Sequence, residues 1–133
     1  FNHRDSLSDM VLIKENHLRH FLIESDMTQL GEKIVIFKEK KPNVKIEVEL
    51  ESYDQLTRLP LAGVDYIMLD NFVSDDIPKS TGLIREKYPK AKIELSGNIT
   101  LETIGSYRNY DIDRISVGAL THSVKAVDLS LLF

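Results

Sequence analysis

Residues 44–71 read "VKIEVELESYDQLTRLPLAGVDYIMLDN", and the order of their parts decides the fold. "VKIEVELE" (44–51) and "VDYIML" (64–69) are short and dense in β-branched and large apolar residues, as buried strands are. The stretch between them, "SYDQLTRLPLAG" (52–63), opens on a Ser cap, has helical length and stops at Gly63. A strand, a helix and a second strand in so few residues predict a parallel βαβ unit.

The same alternation extends in both directions. "MVLIK" (10–14), "AKIEL" (91–95) and "DRISV" (113–117) read as further strands. A helix is predicted over "TQLGEKIVIFKEKK" (28–41), where Leu30, Ile34 and Phe37 fall at i, i+4 and i+7 on one face. Another is predicted within "SDDIPKSTGLIREKYPK" (74–90), acidic in its first turns and stopping near Pro89. A third is predicted over "TLETIGSYRNY" (100–110), where Thr100 is followed three residues later by Thr103 instead of the Glu of a full capping box. No low-complexity linker interrupts the series. The fold class is therefore α/β, part of an open, incomplete βα barrel with parallel strands. A complete barrel takes about 250 residues, so 133 residues correspond to roughly half of one.

In such a barrel the carboxyl ends of all strands share one rim, where active sites are built. The residues at or just past those ends are Lys14, Glu49, Asp70, Ser96 and Gly118, each about one βα unit from the next. One base, two acids and two small-residue turns thus converge. Net charge is −4, which provides no bulk field for nucleic acid or an anionic membrane surface. Any anion site must be local. The chain has no Cys, which excludes a disulfide scaffold and thiolate metal sites and suits a reducing compartment. No apolar run is long enough to span a bilayer, and the N-terminus does not read as a signal peptide. A chain that begins on Phe1 is expected to be a piece of a longer protein.

"SGN" (96–98) leads toward the helix expected at Thr100, and "VGALTHS" (117–123) follows the last strand. Small residues after a strand let backbone N–H groups approach an oxyanion, with a helix dipole behind them. One such turn is more simply a tight turn; two in succession favour a phosphate monoester. Glu49 and Asp70, on adjacent strand ends, suit Mg²⁺ or sugar hydroxyls. Glu47 shares the face of Glu49 one pleat deeper and is a rival ligand. Helix capping is the plainer reading of acids in sequences such as "LDN". Lys14 follows four apolar residues, so its stem is expected to be packed and its ammonium aimed at the rim. A cation held there must find an anion or lose its proton. His3 and Arg4 are placed to join it as a carboxylate clamp. His17 and His20 lack a third metal ligand, and His122 reads as a helix-start hydrogen bonder.

Taken together, "NHR", "LIKENH", "IEVEL", "LDN", "ELSGNITLETI" and "ISVGALTHSVKAVDLSL" resemble the quinolinate phosphoribosyltransferases, the nicotinate-nucleotide pyrophosphorylases of NAD synthesis. The likeness runs from Asn2 to about Leu131. It implies that quinolinate and phosphoribosyl pyrophosphate give nicotinate mononucleotide, pyrophosphate and CO₂, with Mg²⁺ required. It also implies an N-terminal α/β sandwich domain ahead of the open barrel, a homodimer or larger homo-oligomer, and a cytoplasmic setting. On that likeness His3 and Arg4 match the pair that binds quinolinate carboxylates, and Lys14 matches the lysine between quinolinate and the donor. Glu49, chosen over Glu47 by its spacing to "LDN", and Asp70 match the acids facing the ribose hydroxyls and metal. Ser96, Gly97 and Asn98, with Val117, Gly118 and Ala119, match the two turns that hold the 5′-phosphate.

Two departures stand out. Asn98 replaces a second Gly, and Ser6 a frequent Gly. The family's "TRK" motif and an arginine from a neighbouring subunit would precede Phe1. Residues 1–133 are therefore expected to form the C-terminal part of the catalytic barrel domain, with the sandwich domain and first barrel strands outside it, and to be inactive alone. The competing readings are a pyrophosphorylase-like relative with another substrate and a non-catalytic phosphate-binding module.

Overall fold

The structure, a computed structural model, describes residues 10–14, 16–18 and 27–117. Five strands form one parallel sheet in sequence order: β1 (Met10–Ile13), β2 (Lys45–Leu50), β3 (Tyr66–Asp70), β4 (Lys92–Ser96) and β5 (Arg114–Ile115). Helices α1 (Met27–Lys40), α2 (Tyr53–Arg58) and α3 (Asp76–Lys87) connect the first four strands. This is the alternation expected of a partial α/β barrel. Each strand pairs with the next in sequence, so all carboxyl ends lie along one edge.

The register divides the sheet into an apolar and a polar face. Ile46, Val48 and Leu50 stand on the same face as Ile67 and Leu69 of β3 and Ile93 and Leu95 of β4. That face packs on Leu30 and Ile34 of α1, Leu56 of α2, and Ile77 and Ile84 of α3 in one buried cluster. The other face carries Leu12, Glu47 and Glu49, Tyr66 and Met68, Glu94 and Ser96, and Arg114. Side chains alternate across a strand, so "KIEVE" and "KIELS" place every acid opposite the helices. The sheet is apolar toward the helices and charged within.

At the amino edge one device occurs twice. Asp65, just before β3, donates its N–H to the Ile46 carbonyl at 2.9 Å and accepts the Ile46 N–H at its own carboxylate, at 2.8 Å. Asp113, just before β5, does the same with Ile93, at 3.0 and 2.8 Å. The helix that leads into the earlier strand of each pair supplies the cation. Lys38 of α1 bonds the Asp65 carboxylate, and Arg85 of α3 bonds Asp113 at 2.8 Å and grips Asp111 with two N–H groups. Burial works against the Asp65 anion, but Lys38, the Ile46 N–H and Lys45 outweigh it and hold its carboxyl below the usual range. The stability this carboxylate contributes is therefore present above its unfolded pKa and lost as pH falls through the lower folded value. Asp65→Asn is expected to cost about 1–3 kcal/mol at neutral pH and less at a pH below the lowered folded value, where the wild-type carboxyl is itself protonated. Urea unfolding of the full-length protein at both pH values measures this; an equal loss at both would rule out the ionised clamp.

Three sequence expectations need correction. The helix after Ser52 ends at Arg58, ahead of Pro60, and Gly63 instead makes a separate turn at φ 87°. Pro60 has no N–H for a continuing helix. The last strand covers two residues, not five. The helix expected from Thr100 is a single 3₁₀ turn, Ile104–Tyr107. Thr100 and Thr103 do exchange backbone-to-hydroxyl bonds at 3.0 and 3.3 Å, the geometry of a capping box with Thr in place of Glu. Gly105, Ser106 and Asn109 then fail to propagate an α-helix.

Candidate active site

Lys14 directly follows β1, Glu49 is the penultimate residue of β2, and Asp70 and Ser96 end β3 and β4 as register partners. The Lys14 ammonium lies 3.8 Å from Glu49 Oε2. Lys14 is more exposed than its apolar preface suggested, at 56% of its side-chain surface, whereas Glu49 is 15% exposed. β1 ends before Lys14, which frees its stem from the sheet, and Glu49 supplies the anion a rim cation requires.

Glu49 and Asp70 also have a companion absent from the sequence reading. Carboxylate oxygens of Glu49, Glu51 and Asp70 all lie within 4.8 Å of one another. Glu51 is held there by the start of α2. Its N–H donates to Gln55 Oε1 at 2.8 Å, while the Gln55 N–H donates to the Ser52 cap at 3.3 Å. The pattern Ser52-x-x-Gln55 is a capping signature, and that signal could have marked Glu51 as fixed.

Beside the acids lies the turn after β4. Gly97 has φ 88° and Asn98 φ 45°. The position of Asn98 thus demands the left-handed region, where Gly is at ease and Asn is the next best tolerated residue. That explains how Asn stands in for glycine here. Its side chain donates to Asn71 Oδ1 at 3.0 Å. No long helix stands behind the turn, so an anion there would be met by backbone N–H groups and not by a helix dipole. Val117 follows β5. His3, Arg4, Gly118 and Ala119 lie outside the described residues.

Beneath the rim, Glu94 is fully buried on the inward face. It accepts a bond from Arg114 at 3.0 Å and another from the Ser116 hydroxyl. Arg114 stacks over the Tyr66 ring, 4.5 Å from its centroid, a cation–π contact. Burial opposes the Arg114 cation, but Glu94 more than offsets this and raises its pKa above the usual value. Glu47, the rival ligand, is fully buried in the same layer and contributes to the field on Arg114. It belongs below the rim, and Glu49 is the acid beside Lys14.

Residues 1–132 match the family described as quinolinate phosphoribosyl transferase, C-terminal domain. The chain belongs to the quinolinate phosphoribosyltransferase family. It is 39% identical over 133 residues to a probable nicotinate-nucleotide pyrophosphorylase (carboxylating) of Methanocaldococcus jannaschii, covering 97% of this chain and 45% of that protein. To the rat nicotinate-nucleotide pyrophosphorylase (carboxylating) it is 32% identical, covering 97% and 42%. The crystal structure of NadC from Streptococcus pyogenes superposes with a TM-score of 0.71 at 37% identity, over 92% of this chain and 40% of that one. The nicotinate-nucleotide pyrophosphorylase of Francisella tularensis gives 0.67 at 34% identity, over 90% and 39%. This phosphoribosyltransferase domain thus spans less than half the length of the relatives it matches. None of its described helices is long and apolar enough to cross a membrane.

Proposed function

We propose that this chain is the C-terminal part of a catalytic barrel domain in a longer polypeptide. That protein transfers the phosphoribosyl group of phosphoribosyl pyrophosphate to quinolinate, in the cytoplasm and as a homodimer or larger homo-oligomer. The carrying observation is the pairing of Lys14 with Glu49, which clusters with Glu51 and Asp70, beside the left-handed Gly97-Asn98 turn. In this reading the Ser96-Gly97-Asn98 and Val117-Gly118-Ala119 turns receive the 5′-phosphate, and Asp70 and Glu49 face the ribose hydroxyls. Lys14, with His3 and Arg4, receives the quinolinate carboxylates.

The chemistry suits that arrangement. The quinolinate nitrogen forms a bond to C1′ as the bond to pyrophosphate breaks, and positive charge grows on the sugar. Carboxylates fixed nearby stabilise that charge without reorganising. The C2–carboxylate bond then breaks to release CO₂; its electron pair stays at C2, steadied by the adjacent ring cation, and C2 takes up a proton. No protein base is needed for that loss. The three clustered carboxylates offer hard oxygen ligands within 4.8 Å of one another, a donor set whose chemistry suits Mg²⁺. When bound, Mg²⁺ supplies charge neutralisation for the pyrophosphate leaving group.

The full-length protein is expected to release pyrophosphate with quinolinate and not with nicotinate. Residues 1–133 alone, without the upstream cations, should release none. Glu49→Gln and Asp70→Asn are expected to raise the KM for the donor roughly tenfold or more while quinolinate affinity, titrated without donor, stays near wild type. Equal losses for both ligands would contradict the assignment of these acids.

A further inference from the structure

Asn71 adopts φ 52° and Asn98 φ 45°. Asn tolerates the left-handed region better than other non-glycine residues, though less freely than Gly, and the surrounding bonds hold both residues there. The Asn71 N–H donates to the Ser96 carbonyl at 3.0 Å. Its Nδ2 donates to Asp70 Oδ2, and its Oδ1 accepts from Asn98 Nδ2, both at 3.0 Å. The direction of the amide is determined, because an ionised carboxylate accepts and cannot donate. On the other side, Gly97 leaves no room: a Cβ there would lie 2.5 Å from Asn71 Cγ and 2.8 Å from its nitrogen. The plainer role for "LDN", a helix cap, does not apply to Asn71, because α3 begins after Asp75.

We infer that Asn71 is a positioning residue that fixes the Asp70 carboxylate relative to the Ser96-Gly97-Asn98 turn. The two then meet the hydroxyls and the 5′-phosphate of one phosphoribosyl group together. This rests on the phosphoribosyl transfer proposed above. In that group only the C5′ methylene and its ester oxygen lie between phosphate and ring, so phosphate and ring hydroxyls stay within a short, bounded separation. A site that holds both gains from holding its own halves at that separation in advance. Asn71 spans them with one planar amide.

Asn71→Gly separates this role from a backbone one. Glycine accepts φ 52° without strain and keeps the N–H bond to Ser96, so only the two side-chain bonds are lost. Calorimetry on the full-length protein should show the Kd for nicotinate mononucleotide rising on the order of tenfold or more. The Kd for quinolinate, which has neither ribose nor phosphate, should stay within about twofold, with an unchanged melting midpoint. The double variant Asn71→Gly with Asn98→Gly should bind the mononucleotide no worse than Asn71→Gly alone, because both remove one shared bond and glycine accepts φ 45°. Should Asn71→Gly not fold, Asn98→Gly keeps the question open to test: glycine accepts φ 45° and only the bond tying Asn71 to the turn is lost, so mononucleotide affinity should fall while quinolinate affinity stays near wild type. Unchanged mononucleotide affinity, or equal loss of both ligands, overturns the inference. A wild-type protein that binds the mononucleotide but releases no pyrophosphate instead overturns the proposed reaction, and the affinity comparison still decides the role of Asn71.

Discussion

Lys14→Met in the full-length protein is expected to lower turnover about a thousandfold and to leave the melting midpoint within a degree or two. The Lys14 side chain is more than half exposed and its ion pair with Glu49 is 3.8 Å long, so folding gains little from it. Catalysis is a different matter. In the proposed reaction a dicarboxylate and a pyrophosphorylated sugar must approach each other across a rim that already holds three carboxylates. A cation placed there offsets their mutual repulsion as they react. Methionine keeps the length of the stem and removes the charge, so loss of turnover would report the charge alone. Loss in kcat and in kcat/KM together would mark an interaction made in the transition state. The variant has a second readout. Without the ammonium beside Glu49 the acidic cluster is more negative, and Mn²⁺ binding should tighten. Near-wild-type turnover would remove Lys14 from the mechanism, whatever the metal does.

The two edges of the sheet divide the work. At the amino edge Asp65 and Asp113 each close a ring with a neighbouring strand and take a cation from the helix that leads into that strand. These clamps fix where β3 and β5 begin. At the carboxyl edge the chain instead adopts left-handed turns at Asn71, Gly97 and Asn98, which cost stability and place polar groups. Stability at one edge and strain at the other is the distribution expected of a barrel whose chemistry sits at its carboxyl rim.

How much of this was legible in the sequence depended on the kind of signal. Strand positions and the parallel order followed from short apolar runs alternating with helical stretches, and Lys14, Glu49, Asp70 and Ser96 followed from counting strand ends. Ser52 was readable as a cap because capping is local. The 3₁₀ turn at Ile104–Tyr107 was misread because Thr100 and Thr103 give a true start signal and only later residues withhold propagation. Glu51 and Asn71 were missed for another reason. Their significance lies in partners on other strands or in cap geometry, and a single sequence does not show which side chains meet across a sheet. Glu94 was missed as well, although the sequence carried a signal for it. Two strands that alternate charge with apolar residues, where a doubly covered parallel strand would be apolar throughout, already implied a charged inner layer.

The phosphate turn yields the other large effect. Gly97→Val is expected to abolish nicotinate mononucleotide binding, with at least a hundredfold loss of affinity, while quinolinate binding falls much less. Two independent constraints act at this position. The backbone sits at φ 88°, which a β-branched residue resists at a cost on the order of 1–3 kcal/mol. A Cβ would also overlap Asn71, so the turn must open away from Asp70 and separate the groups proposed to meet phosphate and ribose. Gly97→Ala meets the same backbone and the same overlap with less bulk, and should lie between valine and wild type. Ser96→Ala provides the contrast in chemistry. It removes one hydroxyl and leaves the backbone alone, so its loss should be that of a single bond to a charged acceptor, about 1.5–3 kcal/mol. If the site binds phosphate through backbone N–H groups, bulk at Gly97 must hurt more than the missing hydroxyl at Ser96. The reverse order in calorimetry would mean that side chains and not the backbone hold the anion. Normal mononucleotide binding by Gly97→Val would place the phosphate elsewhere on the rim.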